Sequence, residues 1–131
     1  MTRDKYSLFK VMQIKNEMSE SKLSVIDKKE LEMFNFDIKR CYYVTDLNKY
    51  EIRGDHGHKL LNQIIFSTSG RILVYLKKIG SEEITDEVEL VNNGLALYIP
   101  GGFWRKVKAL ENNSSFVVLA DRWYNEDDYV R

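Results

Sequence analysis

RGDHGHKLLNQIIFSTSGRILVYLKK, residues 53–78, contains both histidines of a 131-residue chain and two of its clearest strand patterns. Residues 63–78 read as strand, a turn at "STSG", and strand again. In an extended strand, residues i and i+2 share a face about 6.6 Å apart, so His56 and His58 are expected to point the same way. Gly54 and Gly57 leave the backbone beside them uncrowded.

The pattern continues on both sides. "DEVELVNNGLALYIPGG" (86–102) sends Val88 and Leu90 one way and Glu87 and Glu89 the other, turns at "NNG", and resumes with Leu95, Leu97 and Ile99. "RCYYVTDL" (40–47) is aromatic and β-branched, and "SSFVVLADRWY" (114–124) holds a last strong strand. "VMQIK" (11–15) and "LSVID" (23–27) flank the polar turn "NEMSES", which predicts a hairpin. Helix is expected only in "KKELEMF" (28–34) and "NEDDYVR" (125–131). Many short strands between turn signals predict an all-β sandwich or barrel. "RILVYL" and "SFVVLA" are apolar on both faces, which suits burial between sheets or beneath a partner subunit.

Composition narrows the function classes. One domain, residues 1–131, fits the length, and 44% hydrophobic residues fit a folded core. Twenty basic and twenty acidic residues cancel, so there is no basic field for nucleic acid or a membrane surface. Cys41 is the only cysteine, no disulfide can form within the chain, and a reducing compartment is expected. The first fifteen residues show no signal-peptide run and no stretch reaches membrane-span length, so a cytoplasmic protein is expected.

Three roles suit a His-x-His pair: half a metal site, an acid–base pair, or two residues on an exposed strand face. The onward spacing bears on the choice. Four residues separate His58 from Gln63 and six separate Gln63 from Gly70; five separate Gly94 from Pro100, and two separate Gly102 from Arg105. This resembles the two signatures of the cupin superfamily, with Tyr50 where the first glycine usually stands. The resemblance implies an all-β, cupin-type jelly-roll barrel or sandwich with short helical turns. Metal cupins hold their ion with three histidines and a glutamate. Here Gln63 and Arg105 occupy two of those positions, an amide that ligates weakly and a permanent cation with no lone pair to give. No metal is expected. Two imidazoles, an amide and a cation suit proton transfer on an anionic substrate.

"RCYYVTDL", "RGDHGHKLLNQ", "LYIPGGFW" and "VVLADRWYNEDDYVR" together resemble the nucleotide-sugar 3,4-ketoisomerases, the WxcM-like cupins that act on dTDP-4-keto-6-deoxyglucose. Gly57 for the usual alanine and the "IPGGFW" loop depart from the family pattern and bear on substrate fit. The resemblance implies acid–base roles for His56 and His58, no cofactor, a dTDP-linked 4-keto-6-deoxyhexose as substrate, and a place in unusual deoxysugar biosynthesis for surface glycans. It also implies a homodimer, with the hairpin within residues 1–30 exchanged onto the partner. Arg53, Gln63, Tyr43, Arg105 and Trp104 are the expected substrate contacts. Each has a plainer alternative: Arg53 as a surface cation, Gln63 as a sheet-edge amide, Tyr43 as core, Arg105 pointing outward, Trp104 and Tyr98 as packing. Asp128, Tyr129 and Arg131 read as structural, closing the barrel end. A 3,5-epimerase-like enzyme and a non-catalytic sugar-nucleotide binder are the alternatives in function.

Overall fold

The computed structural model describes residues 4–84 and 86–131; Met1 to Arg3, the start of the stretch read for a leader, and Thr85 lie outside the described residues. Twelve strands, one short helix and a 3-10 turn account for its regular structure. One five-stranded antiparallel sheet is formed by β1 (Ser7–Lys10), β9 (Leu95–Ile99), β6 (Gln63–Ser69), β11 (Ser114–Ala120) and β4 (Arg40–Leu47), in that order. The facing sheet runs β12 (Tyr129–Val130), β5 (Ile52–His58), β10 (Phe103–Ala109), β7 (Arg71–Lys78) and β8 (Asp86–Val91). This is the cupin-type jelly roll expected from the signature spacings. The hairpin of the N-terminal segment, β2 (Met12–Lys15) with β3 (Lys22–Val25), forms a small sheet of its own.

The alternating strands bury one face each, as period-two patterning requires. Ile72, Val74 and Leu76 of β7, Leu90 of β8, Leu97 and Ile99 of β9, and Phe116 and Val118 of β11 meet between the sheets. The doubly apolar strand "SFVVLA" has a second reason for its outer face. Helix α1 (Lys28–Met33) and the residues that follow it cover that sheet, packing Phe34 and Phe36 against Phe9, Ile64, Tyr98 and Leu119 of its strands. The chain's own N-terminal segment therefore supplies this cover. Asp27 and Glu30 start the helix with a reciprocal capping box. "NEDDYVR" forms a 3-10 turn (Glu126–Asp128) followed by β12 rather than a helix, because Asn125 caps only one turn and the chain then pairs with β5. Among the described residues no helix is long and apolar enough to cross a membrane.

Candidate active site

One end of the space between the sheets is polar. Here Arg40 and Tyr42 of β4, Arg53 and His56 of β5, Gln63 of β6, Arg105 of β10 and Tyr129 of β12 line a cavity of about 470 Å³. Its floor is apolar, with Ile65, Ile99, Val107, Phe116 and Val118. No carboxylate is among the lining residues, whereas three arginines are.

The strand register explains the gathering. Arg105 lies directly opposite His56, and Phe103 opposite His58, so these pairs share a face. Val107 lies opposite Arg53, because the β5–β10 ladder shifts register between Arg105 and Lys106. Asp55 is the extra residue, with φ of 61° beside Gly54 at 85°. Arg53 and His56 are three positions apart and belong on opposite faces of a regular strand. The bulge brings both to the cavity. In the other sheet one row runs Arg40, Ala120, Gln63, Ile99 and the next runs Tyr42, Val118, Ile65, Leu97.

Both imidazoles are desolvated. His56 is half-buried, and its Nδ1 lies 3.1 Å from the Gly54 carbonyl. A carbonyl only accepts, so Nδ1 carries the proton and Nε2 keeps the free lone pair. Burial lowers the His56 pKa below its ordinary value, against the pull of that hydrogen bond. His58 is 1% exposed and stands behind His56, ring centroids 4.9 Å apart and edge to face. Burial, then repulsion from Arg105 and His56, push its pKa down to about 4, although Asp128 opposes them. The Nδ1 of His58 is 3.3 Å from Asp128 Oδ2. The Tyr129 ring packs on both histidines, at 4.9 and 4.5 Å.

The two substituted metal-ligand positions engage each other. Arg105 is buried; its Nη1 donates to Gln63 Oε1, and its Nη2 donates to the Phe103 carbonyl at 2.9 Å. Burial lowers its pKa to about 10, so it stays a cation at neutral pH. Gln63 Nε2 donates to Tyr42 Oη at 3.2 Å. The Nε atoms of Arg40 and Arg105 are buried without hydrogen-bond partners, donors suited to an anionic or carbonyl-rich ligand. Among the described residues, no three His, Cys, Asp or Glu side chains are grouped to hold a metal.

Two expected contacts are corrected. Tyr43 is 71% exposed on the outer face of β4, because Tyr42 takes the inner position and neighbours on a strand alternate. Trp104 faces away from the cavity for the same reason, Arg105 being its inward neighbour. Its ring lies beneath the ammonium groups of Lys77 and Lys106, at 4.8 and 5.8 Å. Tyr98 stacks on Phe34 at 4.2 Å in the outer core. Arg105 points inward, and Arg53 sits exposed at the cavity mouth, its Nε 3.7 Å from Glu51.

Asp128 and Tyr129, read from sequence as structural, belong to the site. The Asp128 carboxylate accepts from Leu60 N at 2.8 Å and Leu61 N at 3.2 Å, and its carbonyl accepts from Lys59 N at 3.0 Å. The C-terminal turn thus clasps the loop that follows His58. The "DDYVR" terminus in the family resemblance was the available signal for both residues. Beyond Tyr129 and Arg40, which line both spaces, lies an open cleft carrying Arg122, Trp123 and Tyr124.

Residues 4–131 match the family described as FdtA: WxcM-like, C-terminal. The TDP-4-oxo-6-deoxy-alpha-D-glucose-3,4-oxoisomerase of Aneurinibacillus thermoaerophilus is 31% identical over 112 residues, 86% of this chain and 78% of that protein. The crystal structure of QdtA, a sugar 3,4-ketoisomerase of Thermoanaerobacterium thermosaccharolyticum in complex with TDP, superposes with a TM-score of 0.83 at 32% identity, covering 96% of this chain and 87% of that one. An asparagine-for-histidine variant of that enzyme has been solved in complex with TDP-4-keto-6-deoxyglucose. The WlaRB TDP-quinovose 3,4-ketoisomerase of Campylobacter jejuni gives 0.81 at 27% identity, covering 96% and 92%. With the whole described jelly roll and the polar cavity inside the matched span, the chain belongs to the WxcM-like FdtA family.

Proposed function

We infer that this protein is a sugar-nucleotide 3,4-ketoisomerase, moving the ketone of a dTDP-linked 4-keto-6-deoxyhexose from carbon 4 to carbon 3. The observation that carries the reading is the cavity itself: His56 and three arginines around about 470 Å³, with no lining carboxylate. Its relatives are named for this reaction. The ketone at carbon 4 acidifies the proton on carbon 3. A base removes that proton, an enediol forms, and protonation at carbon 4 leaves the ketone at carbon 3. The electron count of the sugar is unchanged, so no redox cofactor takes part. The amide and guanidinium at the ligand positions suit a site without metal.

His56 and His58 carry the acid–base work. His56 lines the cavity and is held neutral by burial, so it takes the carbon 3 proton. His58, set edge to face behind it, is the second proton holder. Arg105 sets a fixed positive charge where the enolate oxygen develops, and such preorganised charge is a large part of stabilising enolates. Arg40 stands between the cavity and the open cleft, where a diphosphate joining sugar to nucleoside would pass; the exposed Trp123 and Tyr124 rings suit a base. Arg53 guards the mouth. The enzyme works in the cytosol as a homodimer, with the β2–β3 hairpin reaching the second copy.

Incubation with dTDP-4-keto-6-deoxyglucose in deuterated water, followed by NMR at carbons 3 and 4, tests the reading. Movement of the ketone is expected. Deuterium at carbons 3 and 5 without movement identifies an epimerase, and binding without exchange identifies a non-catalytic protein. Replacing His56 by Asn is expected to lower turnover by about a hundredfold or more.

A further inference from the structure

A strand that keeps its alternation cannot aim Arg53 and His56 at one cavity, because three positions separate them. Both line it nonetheless. Gly54 and Asp55 make the change of parity: Lys106 of β10 pairs with Gly54, Arg105 pairs with His56, and Asp55 has no residue opposite it. Both residues stand in the left-handed region, at φ of 85° and 61°. The same kink brings the Gly54 carbonyl 3.1 Å from His56 Nδ1. A carbonyl there holds the proton on Nδ1 and leaves the Nε2 lone pair free.

We propose that Gly54 and Asp55 are positioning residues for the proton transfer: their left-handed backbone orients His56 as a base at Nε2 and, by the same kink, sets Arg53 at the same cavity. The inference rests on the ketoisomerase reading above. His56 takes the carbon 3 proton on Nε2 and becomes an imidazolium, and the Gly54 carbonyl still accepts from Nδ1–H. Neither Gly54 nor Asp55 gains or loses a proton.

Side-chain chemistry does not account for the pair. Gly54 has none, and there is room for one: a Cβ would lie 3.4 Å from the Arg105 carbonyl oxygen, an ordinary contact distance. What disfavours a Cβ is the backbone angle. Asp55 is exposed, and among the described residues its carboxylate makes no hydrogen bond or ion pair. Burial lowers the His56 pKa; the Gly54 hydrogen bond opposes it most, and the charge of Asp55 opposes it least. An aspartate does accept φ near 60°, as an asparagine or glycine would and a β-branched residue would not.

Substitution at position 55 separates the backbone angle from the carboxylate. Asp55→Val makes the left-handed angle unfavourable, whereas Asp55→Asn and Asp55→Gly keep it accessible and remove the charge. Steady-state kinetics with dTDP-4-keto-6-deoxyglucose should show kcat down by about a hundredfold in Asp55→Val and KM up by about threefold or more, because His56 and Arg53 are misplaced together. Asp55→Asn and Asp55→Gly should recover kcat to within about threefold of wild type. Asp55→Val combined with His56→Asn should have a kcat no lower than His56→Asn alone. The chain has two histidines, so long-range proton–nitrogen NMR of their rings is simple to read. It should find His56 protonated at Nδ1 in wild type, Asp55→Asn and Asp55→Gly, and divided between its two nitrogens in Asp55→Val. A residue that only stabilises the strand would lower the melting temperature and leave that ring signature unmoved. Asp55→Val with the wild-type signature, or with kcat within about twofold of wild type, overturns the proposal, as do losses that multiply in the double variant. So does a wild type with the proton on His56 Nε2, a result that holds even where Asp55→Val does not fold. A wild type that leaves the ketone at carbon 4 overturns the ketoisomerase reading instead, since the ring signature is read without substrate.

Discussion

His58 has a carboxylate 3.3 Å away and is nevertheless held neutral. The attraction to Asp128 is real, but burial costs the imidazolium more, and Arg105 and His56 add repulsion. The unfolded chain takes up this proton near pH 6.5, the folded one only near pH 4. Between those values the unfolded state holds more protons, so stability rises with pH through the window and is lost as pH falls through it. At about 1.4 kcal/mol per unit the shift bounds the loss at roughly 3 kcal/mol. His58→Gln should remove this component. Unfolding free energies of the two proteins, measured by denaturant at pH 7 and pH 4.5, should differ less at the lower pH; an unchanged gap would mean that His58 is charged in the fold. Residue scale is also where sequence reading met its limit. In "CYYV" both tyrosines are aromatic, β-prone and adjacent, and nothing local says which faces inward. That parity is set by partners on β11, Val118 opposite Tyr42 and Val117 opposite Tyr43, which belong to the fold and not to the segment.

At the scale of elements, β6 to β9 and β11 were legible from their apolar runs and the turn signals between them, and spacing alone brought Gln63 and Arg105 to the histidines. The bulge in β5 was not legible. Gly-Asp at 54–55 tolerates positive φ, yet the same pair reads equally well as an ordinary turn. Beyond the bulge, the loop of residues 59–62 is fastened from three sides. Asp128 takes three backbone N–H groups, Asp121 accepts from the backbone N and the side-chain Nδ2 of Asn62, and Asn62 Oδ1 accepts from Gly101 N at 2.9 Å. Gly101 fits only because it lacks a side chain. A Cβ there would stand 2.6 Å from the Lys59 carbonyl oxygen and 2.8–2.9 Å from Leu60 backbone atoms. Gly101→Ala must push this loop off Asp128, so it should cost about 1–3 kcal/mol and several degrees of melting temperature. Because the loop follows His58 directly, turnover should fall with it. A melting temperature within a degree of wild type would show that the loop yields freely.

At the scale of the whole molecule, proximity and sequence order part company. Asp128 and Tyr129 reach the histidines only because β12 closes the sheet beside β5, pairing Tyr129 with His58, a contact no local pattern announces. The N-terminal hairpin raises the opposite question, since part of it is left uncovered. Its register pairs Met12 with Val25 and Ile14 with Leu23, putting four apolar side chains on one face, while Gln13, Lys15, Lys22 and Ser24 form the other. Met12, Ile14 and Leu23 are 45%, 52% and 59% exposed. A two-stranded ribbon is marginal by itself in water, and such a face is stabilised by being covered. The dimer proposed above supplies the cover, so the hairpin should protect apolar surface and hold two copies together at once. Light scattering should then give about 31 kDa, twice the 15.5 kDa of one chain, at micromolar concentration. Ile14→Glu with Leu23→Glu places two charges directly across the ribbon on that face. It should yield a monomer whose catalytic cavity is intact, since neither residue lines it. A wild type of 15.5 kDa, or a double variant that still dimerises, would mean that the apolar face serves something other than a second copy.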